Sequence, residues 1–237
     1  MMVSATHFGD RLMTSPLKDP TLETLLDRLH SASAAQDAVL TDYFTKRLKD
    51  GSITDLTSFD EQALSFFSDK MVALEQDKCE FCYLLCRSLR AQRVVEIGTS
   101  FGVSTIYLAA ALRDNGAGPG SVIGTEIEPE KAAAARANWA EAGVEDVIDL
   151  RVGDLRDTLK TLDGPIDFVL VDIWNVALPA LQLVAPHLRP GAIVATDNTK
   201  SFADGYTDYF ECVNDPANRL ATMTVPFDGG FELTVRV

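Results

Sequence analysis

The chain has 237 residues, 46% of them hydrophobic, enough for one large domain or one domain with an extension. Asp and Glu number 35 against 21 Lys and Arg, and the resulting net charge of −14 argues against a nucleic-acid partner held through phosphates and against docking on anionic membranes. Residues 1–15 hold no apolar signal core and no stretch reaches membrane-span length, so a soluble cytoplasmic protein is expected.

Residues 1–20 carry Pro16 and Pro20 with little periodicity and read as a loose arm. Leu22, Leu25, Leu26 and Leu29 then recur at helical spacing, with Thr21 as the expected N-cap. A second helical pattern over 34–48 stops at Asp50-Gly51, and a third over 59–70 points Ala63, Phe66 and Phe67 inward. Residues 1–70 thus form an arm and helical layer, and the main domain runs over 71–237. A helix over 76–90 opens it, with Cys79, Cys82 and Cys86 on one face. Cys79-x-x-Cys82 has the spacing of half a zinc site or a redox pair, but no second Cys pair or nearby His completes one, and packed thiols are expected.

From residue 93 strands and helices alternate. Strands are expected at 93–97, 121–126, 147–152, 166–171 and 192–196, with helices at 102–113, 129–142, 155–161 and 176–188 between them. Pro129 opens one helix and Gly143 closes it. Such alternation builds a parallel sheet covered on both faces. The tail differs: a helix over 206–213 precedes strand-like runs at 219–226 and 231–237, joined by the hairpin signal Phe227-Asp228-Gly229-Gly230. The sheet should therefore end in an antiparallel pair. His187, at the end of a helix before Arg189-Pro190-Gly191, and His30 read as structural.

Two segments carry the chemistry, Val171-Asp172-Ile173-Trp174-Asn175 and Ala195-Thr196-Asp197-Asn198. Each follows an apolar strand, and one helix separates the strands, so both carboxylates leave the same edge of a parallel sheet. If the strands are neighbours, about 5 Å apart, Asp172, Asp197 and Asn198 converge. Three oxygen ligands without Cys or His suit a hard cation such as Mg²⁺. Either Asp alone would be read as a helix or turn cap; the pair with Asn198 favours the metal.

The first strand–helix turn reads Glu96-Ile97-Gly98-Thr99-Ser100-Phe101-Gly102-Val103-Ser104. Gly98 and Gly102 permit positive φ and close approach of a ligand to backbone, and the helix N-terminus attracts a carboxylate or phosphate. Thr99 and Ser100 break the three-glycine dinucleotide fingerprint. Glu126 ends the second strand, where a carboxylate can accept hydrogen bonds from both ribose hydroxyls or simply face solvent. Glu96, at the end of an apolar strand, needs donors or a cation. S-adenosylmethionine brings an ammonium and a sulfonium and NAD brings neither, which favours the former.

These residues resemble the class I S-adenosylmethionine-dependent methyltransferases, and Asp172 with Asp197-Asn198 narrows the resemblance to the metal-dependent O-methyltransferases of the catechol and caffeoyl-CoA type, bacterial branch. The resemblance covers about residues 71–237. It implies an α/β Rossmann-like sheet of order 3-2-1-4-5-7-6 under the N-terminal helical layer. It implies that Leu74, Glu96, Gly98, Thr99, Ser100 and Ser104 line the cofactor's amino-acid end, with Ser104 on its carboxylate. Glu126 would hold the ribose, Gly153-Asp154 would lie by the adenine, and Trp174 would shape the pocket, with Asp172 serving both cofactor and metal. Asp172, Asp197 and Asn198 would ligate Mg²⁺ or another divalent cation.

One position departs from the pattern. A lysine taken as general base stands three residues after the first metal Asp in the catechol-type enzymes, and here that residue is Asn175, which cannot take a proton at neutral pH. The metal alone could acidify the acceptor, or Lys78 (which aligns with a lysine near the family's site), His7 or Lys200 could act as base. The expected activity is O-methylation of a small vicinal-diol or phenolic acceptor. An S-adenosylmethionine-binding protein with altered acceptor or lost activity is the alternative, and an NAD(P)-dependent oxidoreductase a more distant one. The N-terminal helices and terminal hairpin offer a homodimer surface.

Overall fold

The computed structural model describes residues 15–53, 60–119 and 121–237. Its apolar runs become five parallel strands: β1 (Val94–Ile97), β2 (Val122–Glu126), β3 (Ile148–Val152), β4 (Ile166–Val171) and β5 (Leu188–Asp197). The terminal hairpin, β6 (Leu220–Val225) and β7 (Phe231–Arg236), adds antiparallel to β5. The seven-stranded sheet has the order β3-β2-β1-β4-β5-β7-β6 that the resemblance implied. The hairpin turn needs Gly230, because a Cβ there would lie 2.8 Å from the Lys200 backbone nitrogen.

Helices cover both faces, as continuous apolar strands require. On one face lie α1 (Pro20–Ala34), α4 (Gln76–Leu89), α5 (Val103–Asp114) and α6 (Pro129–Ala142). α5 is buried from Val103 to Leu112, so it shows no polar face. The α1 leucines, Leu22, Leu25, Leu26 and Leu29, share its core with Cys79, Cys82 and Cys86 of α4. Those three thiols are buried and free, and burial pushes all of them up, which makes them packing groups. On the other face α8 (Ala177–Val184) and α9 (Thr207–Asn214) close a second core with Val95, Ile97, Val169 and Val171. A short α7 (Leu155–Thr158) follows β3.

The helical layer also contains α2 (Asp37–Asp50) and α3 (Glu61–Phe67). Gly51 ends α2 in the left-handed conformation at φ 76°. Asp60 caps α3, accepting from the Ala63 N–H at 2.9 Å. Of the arm expected over 1–20, residues 1–14 lie outside the described residues, as does the expected start of the third helix at Phe59; in the rest, Leu17 is not loose but buried in the α1 core, and Pro20 already begins α1.

Two expectations are corrected. The cap of α1 is Asp19, not Thr21: its carboxylate accepts from the Leu22 N–H at 3.2 Å, and Pro20 supplies a pre-set φ at the first helical position. The helix expected over 176–188 ends at Val184, passes through a tighter turn containing Pro186, and becomes β5 at Leu188, not at 192. Pro186 lacks the N–H that a continuing helix would use. Among the described residues no helix is long and apolar enough to cross a membrane.

Candidate active site

The parallel registers bring four strand ends level. Ile97 pairs with Thr125 on one side and Val171 on the other, and Val171 pairs with Thr196. The residues just beyond, Gly98, Glu126, Asp172 and Asp197, therefore share one edge of the sheet. The order reverses between β1 and β4, and ligands of open α/β sheets bind beyond the carboxyl ends at such a switch point.

The loop after β1 is fixed from both sides. Its Gly98 has φ 93°, and a Cβ would lie 2.8 Å from the Asp172 carbonyl oxygen. Gly102 has φ 76°, and a Cβ would lie 2.3 Å from Trp139 Nε1. Positive φ is thus present at both, as expected, a Cβ at either would meet protein, and Gly98 also lines the cavities beside Asp172. Trp139 donates from Nε1 to the Gly102 carbonyl at 3.1 Å, and Asn138 donates to the Phe101 carbonyl at 2.9 Å. Ser100 adopts φ 50°, a strained value for a residue with a Cβ. Its N–H donates at 2.7 Å to Glu126, whose other oxygen accepts from the Glu128 N–H at 2.8 Å. Those two bonds orient the carboxylate and leave further acceptor sites.

Glu96 lies behind the loop, fully buried, and accepts from Thr99, Ser104 and Thr105 hydroxyls at 2.9, 2.7 and 2.5 Å. Of the donors or cation expected for it, these neighbouring hydroxyls are the donors, so Glu96 does not distinguish S-adenosylmethionine from NAD. Burial still pushes its carboxyl up to about 7 against the pull of those hydroxyls. The Ser104 proton is committed to Glu96, so the anion donors left here are the N–H groups of the first turn of α5.

A narrow cavity is lined by Leu74, Gly98, Thr99, Ser100, Ser104 and Asp172, together with Met71–Ala73 of the preceding strap. Ser33 and Gln36 hold that strap: Ser33 Oγ bonds the Met71 carbonyl and the Ala73 N–H, and Gln36 Oε1 accepts from the Met71 N–H. A wider cavity runs from Glu126, Glu128 and Ser100 to Asp172 and Asn198, with Lys131 on its wall and Phe101 5.9 Å from the Lys131 ammonium. A third joins Asp172, Asp197 and Asn198 to Glu75 and to an apolar wall of Leu40, Phe44, Phe67 and Phe202. Asp154 stands apart from these cavities as the cap of α7, paired with Arg156 at 2.6 Å, although Gly153 bonds the Glu126 carbonyl at 2.8 Å.

The carboxylates of this group crowd one another. Burial, then Asp197, Glu75 and Glu96, hold the Asp172 carboxyl well above its usual range. Burial pushes Asp197 up to about 6, with Lys78 opposing. Asp197 Oδ1 accepts from Lys78 Nζ at 2.6 Å and Oδ2 from Asn198 Nδ2 at 2.7 Å. Tyr206 donates to the Asp197 carbonyl at 2.8 Å, and Asn198 takes φ 59°, which Asn tolerates. Among the described residues no three His, Cys, Asp and Glu side chains cluster as a metal site. The set here is two carboxylates and an amide, whose oxygens and mutual repulsion suit a hard divalent cation.

The candidate bases change standing. Lys78 is buried, and burial opposes its charge, yet Asp197 and Glu75 at 2.8 Å outweigh that and raise it: it is held as an ammonium, which cannot accept a proton. Asn175 is exposed in the turn Trp174–Val176 and lines none of the cavities that hold Asp172. The Trp174 side chain and His7 lie outside the described residues, and Lys200 is exposed beside the hairpin turn. The sequence reading pointed Phe67 inward but missed Glu75, Phe44, Phe202 and Trp139. A carboxylate just before a helix, scattered phenylalanines and a helix Trp give no local signal.

Comparisons with known proteins bear on the fold and on the class of activity. A family described as "Methyltransferase domain" matches residues 95–199. Catechol O-methyltransferase of Mycobacterium tuberculosis (strain ATCC 25618 / H37Rv) is 41% identical over 132 residues, 54% of this chain and 57% of that protein, so the chain spans under two thirds of that relative. Catechol O-methyltransferase of Niastella koreensis is 29% identical over 161 residues, 63% of this chain and 71% of that one. The crystal structure of O-methyltransferase TomG from Streptomyces achromogenes in complex with SAM superposes with TM-score 0.61 at 27% identity, covering 81% of this chain and 96% of TomG. The O-methyltransferase from Bacillus cereus in complex with SAH shares the fold, with TM-score 0.66 over 95% of this chain and 93% of that one at 20% identity. The resemblance read from the residues is thus borne out, the sheet has the strand order it implied, and residues 95–199 match a methyltransferase domain.

Proposed function

With residues 95–199 a methyltransferase domain, we propose that this protein is an S-adenosylmethionine-dependent O-methyltransferase acting on a small vicinal-diol or phenolic acceptor with the help of a divalent cation, Mg²⁺ by preference. The supporting observation is that Glu126 and Ser100 line one cavity with Asp172 and Asn198, and that the next cavity adds Asp197. In this reading a nucleoside end and an acidic, oxygen-rich end are adjacent.

When bound, the cofactor supplies an electrophilic methyl on a sulfonium, and the cation acidifies and chelates the acceptor's oxygens. The chain's own groups do the rest. Glu126, held by two backbone N–H groups, orients a ribose through its remaining acceptor sites. The strap at 71–74 and the loop at 98–104 close round the amino-acid end. Asp172, Asp197 and Asn198 would hold the cation, with Lys78 and Tyr206 fixing Asp197. Leu40, Phe44, Phe67 and Phe202 exclude water from the neighbouring space and bring an aromatic ring into a defined plane. A cytoplasmic location and a small-molecule acceptor complete the proposal.

A radiolabelled methyl-transfer screen over catechols, flavonoids and hydroxyindoles tests it. Label should pass to at least one diol, stop with EDTA and return with Mg²⁺. Transfer indifferent to EDTA would remove the cation, and no transfer despite measured cofactor binding would leave a binding protein.

A further inference from the structure

The cavity that gathers Asp172, Asp197 and Asn198 has a carboxylate the proposed reaction does not use. Glu75 stands immediately before α4, lines that cavity, and has a side chain 54% exposed. One of its oxygens, Oε2, lies 2.8 Å from Lys78 Nζ. No Lys or Arg among the described residues lines this cavity. Lys78 lies behind it, 1% exposed, with its ammonium engaged by Asp197 and Glu75. Lys131 belongs to the adjoining cavity, with Glu126 and Glu128 on the same walls.

An aromatic acceptor whose oxygens face Asp172, Asp197 and Asn198 has apolar faces for its ring and Glu75 for whatever its ring carries. A carboxylate or phosphate on that tail would meet the like charge of Glu75, whose partner Lys78 is buried and shared with Asp197, whereas an ammonium would meet Glu75. We propose that Glu75 sets the charge preference of the acceptor site: neutral and cationic aryl diols are taken and anionic ones are turned away. The inference rests on the proposed O-methyltransferase activity and goes beyond it by choosing among diols. A half-exposed carboxylate is partly screened, so the preference is on the order of tenfold at low ionic strength and shrinks with salt.

The test uses the full chain with labelled S-adenosylmethionine and Mg²⁺, comparing catechol, dopamine and dihydroxyphenylacetate. The last two differ chiefly in the charge of a short tail. The wild type should favour dopamine over the acid by about tenfold in kcat/KM. Glu75→Gln should bring that ratio near unity and Glu75→Lys should invert it, with the dissociation constant for S-adenosylmethionine unchanged in both. Methylation of catechol with no preference between the charged pair in the wild type, or a preference that survives Glu75→Gln, overturns the proposal and leaves the activity intact. No transfer to any of the three overturns this inference, and the activity itself stands or falls on the wider acceptor screen.

Discussion

The two ends of the candidate site are built differently. The proposed cofactor end is backbone: strand termini in register, a loop forced to positive φ at Gly98, Ser100 and Gly102, and Glu126 held by N–H groups, all on the buried sheet. The proposed acceptor end is side chains. Leu40, Phe44 and Phe67 reach it from α2 and α3, which stand outside the sheet and are tied to each other by Arg47, bidentate to Asp60 at 3.0 and 2.5 Å, and by the Tyr43–Phe66 stack at 3.8 Å. A site of this kind holds its donor rigidly while its acceptor wall can be exchanged. The bond-making end should respond to substitution in turnover, and the wall in acceptor affinity.

The largest effect that would sharpen this contrast is at the shared floor. Asp197→Ala should lower turnover by at least about a hundredfold while calorimetry still finds S-adenosylmethionine bound. Loss of cofactor binding instead would mean that Asp197 belongs to the other end.

Glu96 tests the rigidity of the sheet end through pH. Its carboxyl is pushed up to about 7 in the fold from an ordinary 4.5, so the folded state favours the protonated form. Stability is then full below about 4.5, falls as pH rises to about 7 and is flat above, a span of about 3 kcal/mol. Glu96→Gln should remove the slope, so that in urea melts its stability relative to wild type rises between pH 5 and pH 8 (roughly the window between those two pKa values). A constant difference across that range would contradict the assignment.

At the wall, Phe44→Ala should raise the acceptor KM about three- to tenfold and leave the cofactor dissociation constant unchanged, because a half-buried ring is then removed from the acceptor end alone. The smallest effect is at Asn175. Because it is exposed and lines none of the cavities holding Asp172, Asn175→Lys should change kcat with catechol by less than about twofold. A large change would bring that turn into the site.

The same contrast explains what the sequence made legible. Strand–helix alternation, Gly98, Gly102, Glu126 and the Asp172 and Asp197-Asn198 pair are local signals, and parallel strands with short connections leave few places for them to go. The sheet order followed from the resemblance and the Asp228-Gly229-Gly230 turn. The partners of Glu96 were not legible, since hydroxyls at Thr99, Ser104 and Thr105 meet it only once the helix turns back over β1. Nor was the Lys78–Asp197 pair, which joins residues 119 apart. The acceptor wall was hidden for a related reason: nothing in the spacing of Phe44, Phe67 and Phe202 states how α2 and α3 are docked.

The most direct test is a crystal structure with Mn²⁺ and S-adenosylhomocysteine, with the metal located by its anomalous scattering. The account predicts one strong peak coordinated by oxygens of Asp172, Asp197 and Asn198, with the ribose on Glu126 at the other end of the same cavity. A peak held by other residues, or a nucleoside lying away from Glu126, would contradict it.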